Sequence, residues 1–206
     1  MAPVEPLPPS LWEKLRADPE RAAEHLALAA SARFAAPAAR WAREGSHRPP
    51  AELARDARRN HVRLSIVEGA ALGLGGALTT AADLAALAWI QSRMVFFVAA
   101  SYGFEPDHPM RPAELLALQG MYETAAEARA ALDGSGTPLA VKLIGARLRP
   151  GSDGRLARAL LRVASRRLAQ HTALRAVPLV ASPLNAVANR AGTKALGDRA
   201  IRFYGG

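Results

Sequence analysis

The sequence contains no cysteine, few aromatic residues and little lysine. Without cysteine the chain can form no disulfide, no thiolate nucleophile and none of the usual structural zinc sites. Aromatic residues make up 5% of the chain and hydrophobic residues 50%. The apolar content is therefore mainly Ala, Leu and Val, a mixture that favours closely packed helices. Arginine supplies nearly all of the 27 basic residues, a choice that a GC-rich genome explains.

The chain also lacks the sustained alternation of apolar and polar residues that marks β-strands, and it has no repeat of fixed period. A length of 206 residues predicts one domain with its own core. Its opening ten residues have neither the positive cluster nor the apolar core of a signal peptide. We therefore expect an all-α fold, a compact multi-helix bundle with a glycine-rich helical hairpin at its centre.

Prolines, glycines and capping residues mark the expected helix boundaries. Ser10 and Glu13 form a capping-box pattern, and Pro37 is expected to end the second helix. One further helix is expected to start at Pro112 and to end near Gly134. The predicted helices cover residues 10–17, 19–35, 37–45, 50 to a break near 73–76, 80–103, 112–134, 137–148, 154–176 and 182–204.

The charge of the chain is unevenly distributed. The net charge is +9, but residues 141–206 carry 13 basic and two acidic residues, which leaves the rest of the chain slightly acidic. One predicted helix in this basic end is amphipathic, with four arginines on one face: Arg155, Arg158, Arg162 and Arg166. This face suits an anionic membrane surface, although a merely solvated face stays open. Nucleic acid is disfavoured, because no aromatic residues interleave with the arginines and no binding motif appears.

Residues 68–83 form a small-residue run with a cluster of glycines, Gly69, Gly73, Gly75 and Gly76. A phosphate-binding loop is excluded by context, because no strand precedes the glycines and no Lys-Ser or Lys-Thr follows them. Small residues let two helices touch, so we predict tight helix packing here. A lipid-inserting hairpin is the alternative, whereas the glycines and Asp83 argue against a simple transmembrane span.

Two acidic residues border the glycine run. Asp83 is an acid within an apolar run, which suits a proton relay or an ion site. It also completes a capping-box pattern with Thr80, the interpretation that we favour. Glu68 follows His61 by seven residues, so the two share one helical face. Such a pair could act as a base or half a metal site, but a partly buried ion pair is the commoner arrangement. We therefore expect no metal and no cofactor, since no third ligand and no HExxH pattern accompany the pair.

No catalytic motif stands out elsewhere. The five histidines are scattered, and the G-x-S-x-G elbow of serine hydrolases is absent. The segment Tyr102-Gly103-Phe104 is typical of a helix end, with Gly103 as the residue that terminates the helix. We therefore expect no enzymatic activity.

The order of these segments resembles the EcsC family, named for a member of a bacterial operon that also encodes an ABC transporter. The resemblance is carried by Arg58-Arg59-Asn60-His61, Glu68-Gly69, the glycine cluster up to Asp83, Tyr102-Gly103-Phe104, Arg111, Pro178, Asn185 and Ala200-Ile201-Arg202-Phe203-Tyr204. One departure is the segment after Pro178, which lacks the glycines of the usual closing pattern. The resemblance implies a helical protein associated with transport or secretion, and no established catalytic residues.

The resemblance divides the chain into two predicted segments. These are an N-terminal helical extension over residues 1–45 and an EcsC-like helical domain over residues 51–206. Four residues form the candidate polar cluster, His61, Glu68, Asp83 and Asn185. We expect a cytoplasmic, non-catalytic protein, peripheral on the inner face of the membrane, as an accessory to a transporter component. The alternative is a soluble bundle that binds a small hydrophobic or lipid ligand.

Overall fold

The computed structural model describes residues 6–72, 81–134 and 181–206, without the side chains of residues 66–72, 81–83 and 181–188. This part of the chain holds seven α-helices and no strand, which confirms the all-α prediction. The predicted glycine-rich hairpin turn lies outside the described residues. The helices are α1 (Pro9–Ala17), α2 (Ala22–Glu44), α3 (Pro50–Leu72), α4 (Ala81–Ser101), α5 (Arg111–Leu118), α6 (Ala125–Leu132) and α7 (Ala181–Gly205), with a 3-10 turn (Pro19–Arg21) before α2.

Helix α4 lies at the centre of the bundle, packed against α2, α3 and α7. Its side chains are apolar almost all the way round, which a helix surrounded by other helices requires. Leu84–Ser101 is the one stretch of the described helices that is long and apolar enough to cross a membrane, yet 94% of it is buried within the fold. Burial among neighbouring helices accounts for this composition.

The N-terminal helices contribute to the same core. The ring of Phe34 in α2 lies 4.5 Å from that of Trp89 in α4, centroid to centroid. The indole of Trp41 donates a hydrogen bond of 3.2 Å to the hydroxyl of Ser101. Helix α2 also packs against α5, and α1 packs against α2. The proposed division at residues 45–51 stays a prediction, but α2 and α4 pack together across it.

The prediction that Pro37 ends a helix was wrong. Helix α2 continues through Pro37 to Glu44. A proline inside a helix costs about 3 kcal/mol, because it removes one N–H donor and crowds the preceding turn. Phe34 and Ala38 on either side of it are buried against the core, and this packing offsets the cost. The carbonyl that loses its donor belongs to Arg33, an exposed residue, where water can replace the missing bond.

The single helix predicted from Pro112 to Gly134 is two helices, α5 and α6. The chain turns between them at Gly120, whose φ of +72° lies in the left-handed region that favours glycine. Thr124 then caps α6, because its hydroxyl accepts a hydrogen bond of 3.1 Å from the backbone N–H of Glu127. The Thr-x-x-Glu pattern was therefore a helix start that the sequence analysis missed.

The capping box predicted at Ser10 and Glu13 does not form, since α1 begins at Pro9 without a side-chain cap. Proline at the first turn has no N–H to satisfy, which reduces the need for a cap. Asp18 lies immediately before the 3-10 turn, at the position where a side-chain cap would act. Its carboxylate lies 3.0 Å from the Nε2 atom of His25 in α2 and makes no capping hydrogen bond.

Gly197 lets α7 approach α3. A Cβ atom at this position would lie 2.5 Å from Cγ of Arg58 and 3.1 Å from Sδ of Met94. Close helix contact through a glycine is thus present, at a position that the sequence analysis did not name. Of the glycines predicted to pack tightly, Gly69 lies in α3, and Gly73, Gly75 and Gly76 lie outside the described residues.

Candidate functional site

The predicted polar cluster falls on three helices that pack against one another, α3, α4 and α7. His61 and Glu68 belong to α3, Asp83 to α4 and Asn185 to α7. Of the four, His61 alone has a described side chain, and the other three lie outside the described side chains. The structure therefore brings their helices together, and the cluster itself stays a prediction.

His61 is fully buried and lies edge-on to Phe97, with ring centroids 5.4 Å apart. Its Nδ1 atom lies 2.7 Å from the carbonyl oxygen of Ala57, so Nδ1 carries the proton and Nε2 keeps a lone pair. Nε2 has no hydrogen-bond partner among the side chains and backbone groups that the structure describes. The pKa of His61 is lowered to about 3, mainly because the ring is buried. The hydrogen bond to Ala57 raises the pKa in part, and the charge of Arg93 lowers it further. The imidazole is therefore neutral at physiological pH.

A layer of buried polar side chains extends from His61 between the same three helices. Arg93 in α4 is 4% exposed, and its guanidinium lies 4.9 Å from the centroid of the Phe97 ring, a cation–π contact. The amide of Gln91 donates a hydrogen bond of 3.2 Å to the hydroxyl of Thr193 in α7. Ser65 and Asn189 are also buried. These polar groups interrupt the apolar packing between α3, α4 and α7.

Apart from His61, no residue of this layer was predicted from the sequence. A signal was present, because Gln91, Ser92 and Arg93 interrupt the apolar run of α4. Buried polar groups carry a desolvation cost unless they are hydrogen-bonded, so three in succession in a core helix mark either an interhelical network or a site.

A second cluster joins the end of α7 to the start of α5. The Arg111 guanidinium pairs with the Glu114 carboxylate, and the hydroxyl of Tyr204 donates a hydrogen bond of 2.7 Å to the same carboxylate. Arg111 also lies over the rings of Phe104 and Tyr204, at 5.1 and 5.6 Å from their centroids. Residues that carried the family resemblance, Tyr204, Phe104 and Arg111, thus meet at one place.

The chemistry of this second cluster is that of a structural contact. Burial raises the pKa of Tyr204 above its usual range, and the adjacent negative charge of Glu114 raises it further. The phenol therefore stays protonated and acts as a donor. Gly205 lies so close to Tyr102 that an added Cβ would be 3.0 Å from the ring. The cluster fixes the C-terminal turn of α7 against the rest of the bundle.

The outer face of α7 is basic. Arg190, Lys194 and Arg202 are exposed, and the one acid among them, Asp198, is held by Arg58 of α3 and by Lys194 at 3.0 Å. Burial opposes ionisation of Asp198, but hydrogen bonds from Lys194 and Arg58 outweigh it and lower the pKa of the carboxyl. Phe203, 53% exposed, lies beside Arg202. The predicted arginine face, Arg155, Arg158, Arg162 and Arg166, lies outside the described residues.

An open groove of about 520 Å³ runs between α2 and the turn at residues 106–107. Its floor consists of small side chains between residues 31 and 39, and its rim carries Arg40, Arg43 and Asp107. Elsewhere among the described residues, no group of three or more His, Asp or Glu side chains is arranged to hold a metal ion.

The fold and the site together define the class of protein. It is a helical bundle built around one buried central helix, with a layer of buried polar side chains at His61. The profile of the EcsC protein family matches residues 43–205. The chain therefore belongs to the EcsC family. No curated protein and no solved structure shows a significant match to it.

Proposed function

We propose that this protein is a non-catalytic accessory to a transport or secretion system, bound peripherally to the inner face of the cell membrane. The observation that carries the membrane part is the exposed basic face of α7. Arg190 and Arg202 are exposed and make no ion pair with any described residue. A cationic face with an exposed apolar side chain, Phe203, is attracted to anionic lipid headgroups.

The described interior gives no support to a catalytic alternative. A general base works best with a pKa near the operating pH. His61 has a pKa of about 3, so its basicity is too low to take a proton efficiently at neutral pH. Tyr204 stays protonated for the opposite reason, because burial and Glu114 raise its pKa. Neither side chain is tuned for proton transfer.

Vesicle flotation with the full chain tests the membrane part. We expect the wild type to float with vesicles that contain phosphatidylglycerol at low salt and to stay unbound with pure phosphatidylcholine. High salt should release it, because the Debye length falls to about 3 Å at 1 M. Binding to neutral vesicles alone would contradict electrostatic attachment and favour the alternative, a bundle that takes a hydrophobic or lipid ligand.

Two sets of variants locate the attachment. Replacing the predicted arginine face, at positions 155, 158, 162 and 166, with Gln should weaken binding by about 1 kcal/mol per arginine that lies near the surface. The pair Arg190→Gln and Arg202→Gln should weaken it further. The matched control is Arg55→Gln with Arg63→Gln, which removes two exposed charges from α3 that form no ion pair with a described residue. An equal loss for the control pair would show that net charge alone, and no particular face, governs binding.

The transport part of the proposal comes from family membership, which the EcsC profile supports over residues 43–205. Crosslinking in native membranes, followed by isolation of the tagged chain, should recover subunits of an ABC transporter. Recovery of the chain entirely from the soluble fraction, with no transporter subunit crosslinked, would contradict this role.

A further inference from the structure

The groove beside α2 has a charge pattern that neither the fold nor the polar layer requires. Arg40 and Arg43 are three residues apart on one helix, so their side chains lie on one face, neighbouring each other. Both are exposed, and neither forms an ion pair with a described residue. Asp107, also exposed, contributes to the lining opposite. The groove thus presents two cations and one anion around a shared space.

The floor of the groove has a different character. Between residues 31 and 39 it is lined by four alanines and one serine, so the backbone of α2 is accessible beneath small side chains. One turn before Ala32, on the same face of α2, Leu28 is 43% exposed. An apolar strip therefore leads away from the charged end of the groove along the outer face of α2.

We infer that this groove binds the headgroup of an amine-bearing phospholipid, of the phosphatidylethanolamine type, at the surface of a bilayer. Arginine guanidinium groups match phosphate oxygens in geometry and charge. The carboxylate of Asp107 complements the primary ammonium of the same headgroup. The alanine floor and Leu28 suit the glycerol and the first methylenes of the lipid.

The apolar strip is the reason to choose a lipid over a soluble phosphoamine. A soluble ligand would use the charged end of the groove and leave the strip on α2 in water. A bilayer lipid covers the charged end of the groove and the apolar strip together, because its polar headgroup is joined to its apolar chains. This inference rests on the proposed peripheral membrane binding, and it adds a headgroup preference that charge on α7 does not provide.

Flotation with three vesicle compositions tests the headgroup preference in the full chain. All three contain the same fraction of phosphatidylglycerol, and the remainder is phosphatidylcholine, phosphatidylethanolamine or an equal mixture. We expect affinity to rise by about tenfold from phosphatidylcholine to phosphatidylethanolamine, because the quaternary ammonium of choline cannot donate hydrogen bonds to a carboxylate. Equal affinity for all three compositions would overturn the inference.

Three changes in the groove separate its parts. Asp107→Asn should remove the preference for ethanolamine and leave binding to phosphatidylglycerol intact. Arg40→Gln with Arg43→Gln should also remove the preference, because the phosphate then has no partner. Ala36→Trp should do the same by filling the groove at an exposed position, with no change of charge. Persistence of the full preference in all three variants would place it outside the groove.

The control pair on α3, Arg55→Gln with Arg63→Gln, should keep the ethanolamine preference. If the wild type binds no anionic vesicle at all, the proposed membrane function fails. If it binds them with no ethanolamine preference, that function survives and the groove inference fails. Inhibition by soluble phosphoethanolamine at concentrations that saturate the groove, with no vesicle preference, would show a soluble ligand and overturn the lipid assignment.

Discussion

The hydroxyl of Tyr204 donates a hydrogen bond of 2.7 Å to the carboxylate of Glu114, across 90 residues of sequence. The same carboxylate pairs with Arg111, so one acid joins the last turn of α7 to the first turn of α5. Both partners of the acid are almost completely buried, at 5% and 7% exposure. A contact of this kind closes the bundle at its C-terminal end.

Tyr204→Phe should therefore lower the free energy of unfolding by about 1.5–3 kcal/mol, because a hydrogen bond to a charged, mostly buried carboxylate is lost. Urea unfolding followed by circular dichroism measures the change. Tyr102→Phe is the matched control, since the hydroxyl of Tyr102 makes no hydrogen bond in the described structure; it should be near neutral. An equal effect of both substitutions would show that the Glu114 contact adds no stability.

Gly197→Ala should destabilise the protein although alanine is the better helix former. The added Cβ would lie 2.5 Å from Cγ of Arg58, and Asp198 holds the guanidinium of that side chain. Overpacking costs about 1–3 kcal/mol, whereas Gly→Ala in a helix gains up to about 1 kcal/mol. Thermal melts should show a net loss.

A double-mutant cycle separates these two effects. In an Arg58→Ala background the two nearest obstructing atoms are gone and only Sδ of Met94, at 3.1 Å, stays close. Gly197→Ala should therefore destabilise the protein much less there. Equal destabilisation in both backgrounds would show that Arg58 is not what limits the approach of α7 to α3.

Helix class and several boundaries could be predicted from local signals. Pro50 starts α3, as expected, and Gly103 stops α4 with a φ of +84°. These signals act within one turn of the chain, so they are readable without knowledge of the fold. The prediction that Pro37 ends a helix failed because the lost hydrogen bond is a local effect, whereas the stabilisation that offsets it is not. That stabilisation comes from Phe34 and Ala38, which pack on other helices.

The site was less accessible to sequence reasoning for the same reason. His61 was selected by its spacing from Glu68, but its low pKa comes from complete burial and from Arg93 on a different helix. The pairing of Gln91 with Thr193 spans 102 residues. No local pattern encodes which faces of α3, α4 and α7 meet, so the buried layer emerges only once the helices are packed.

His61 predicts a pH dependence of stability. Its pKa is about 3 in the folded protein against a usual value of 6.5, so below pH 6.5 the unfolded chain takes up a proton that the folded protein does not. The stabilisation is complete above pH 6.5 and is lost progressively as the pH falls towards 3, at up to about 1.4 kcal/mol per pH unit.

Replacing the imidazole should remove this dependence. Between pH 7 and 5.5, wild type should lose about 1 kcal/mol more than His61→Phe, whose ring cannot titrate. Urea unfolding of both proteins at the two pH values measures the difference. Parallel losses in the two proteins would mean that His61 is protonated in the folded state, in conflict with its burial.

Thr124 tests the helix start that interrupts the predicted single helix of residues 112–134. Its hydroxyl accepts a hydrogen bond from the N–H of Glu127, and the Glu127 carboxylate in turn accepts one of 3.2 Å from the N–H of Glu123. Thr124→Ala should cost about 1 kcal/mol, because it leaves an N–H of the first turn of α6 without its cap. Thr124→Ser keeps the hydroxyl and should restore most of that stability. If Thr124→Ala is neutral in urea unfolding, or if serine is as poor as alanine, the turn at Gly120 and the packing of α6 on α5 set the helix boundary without the cap.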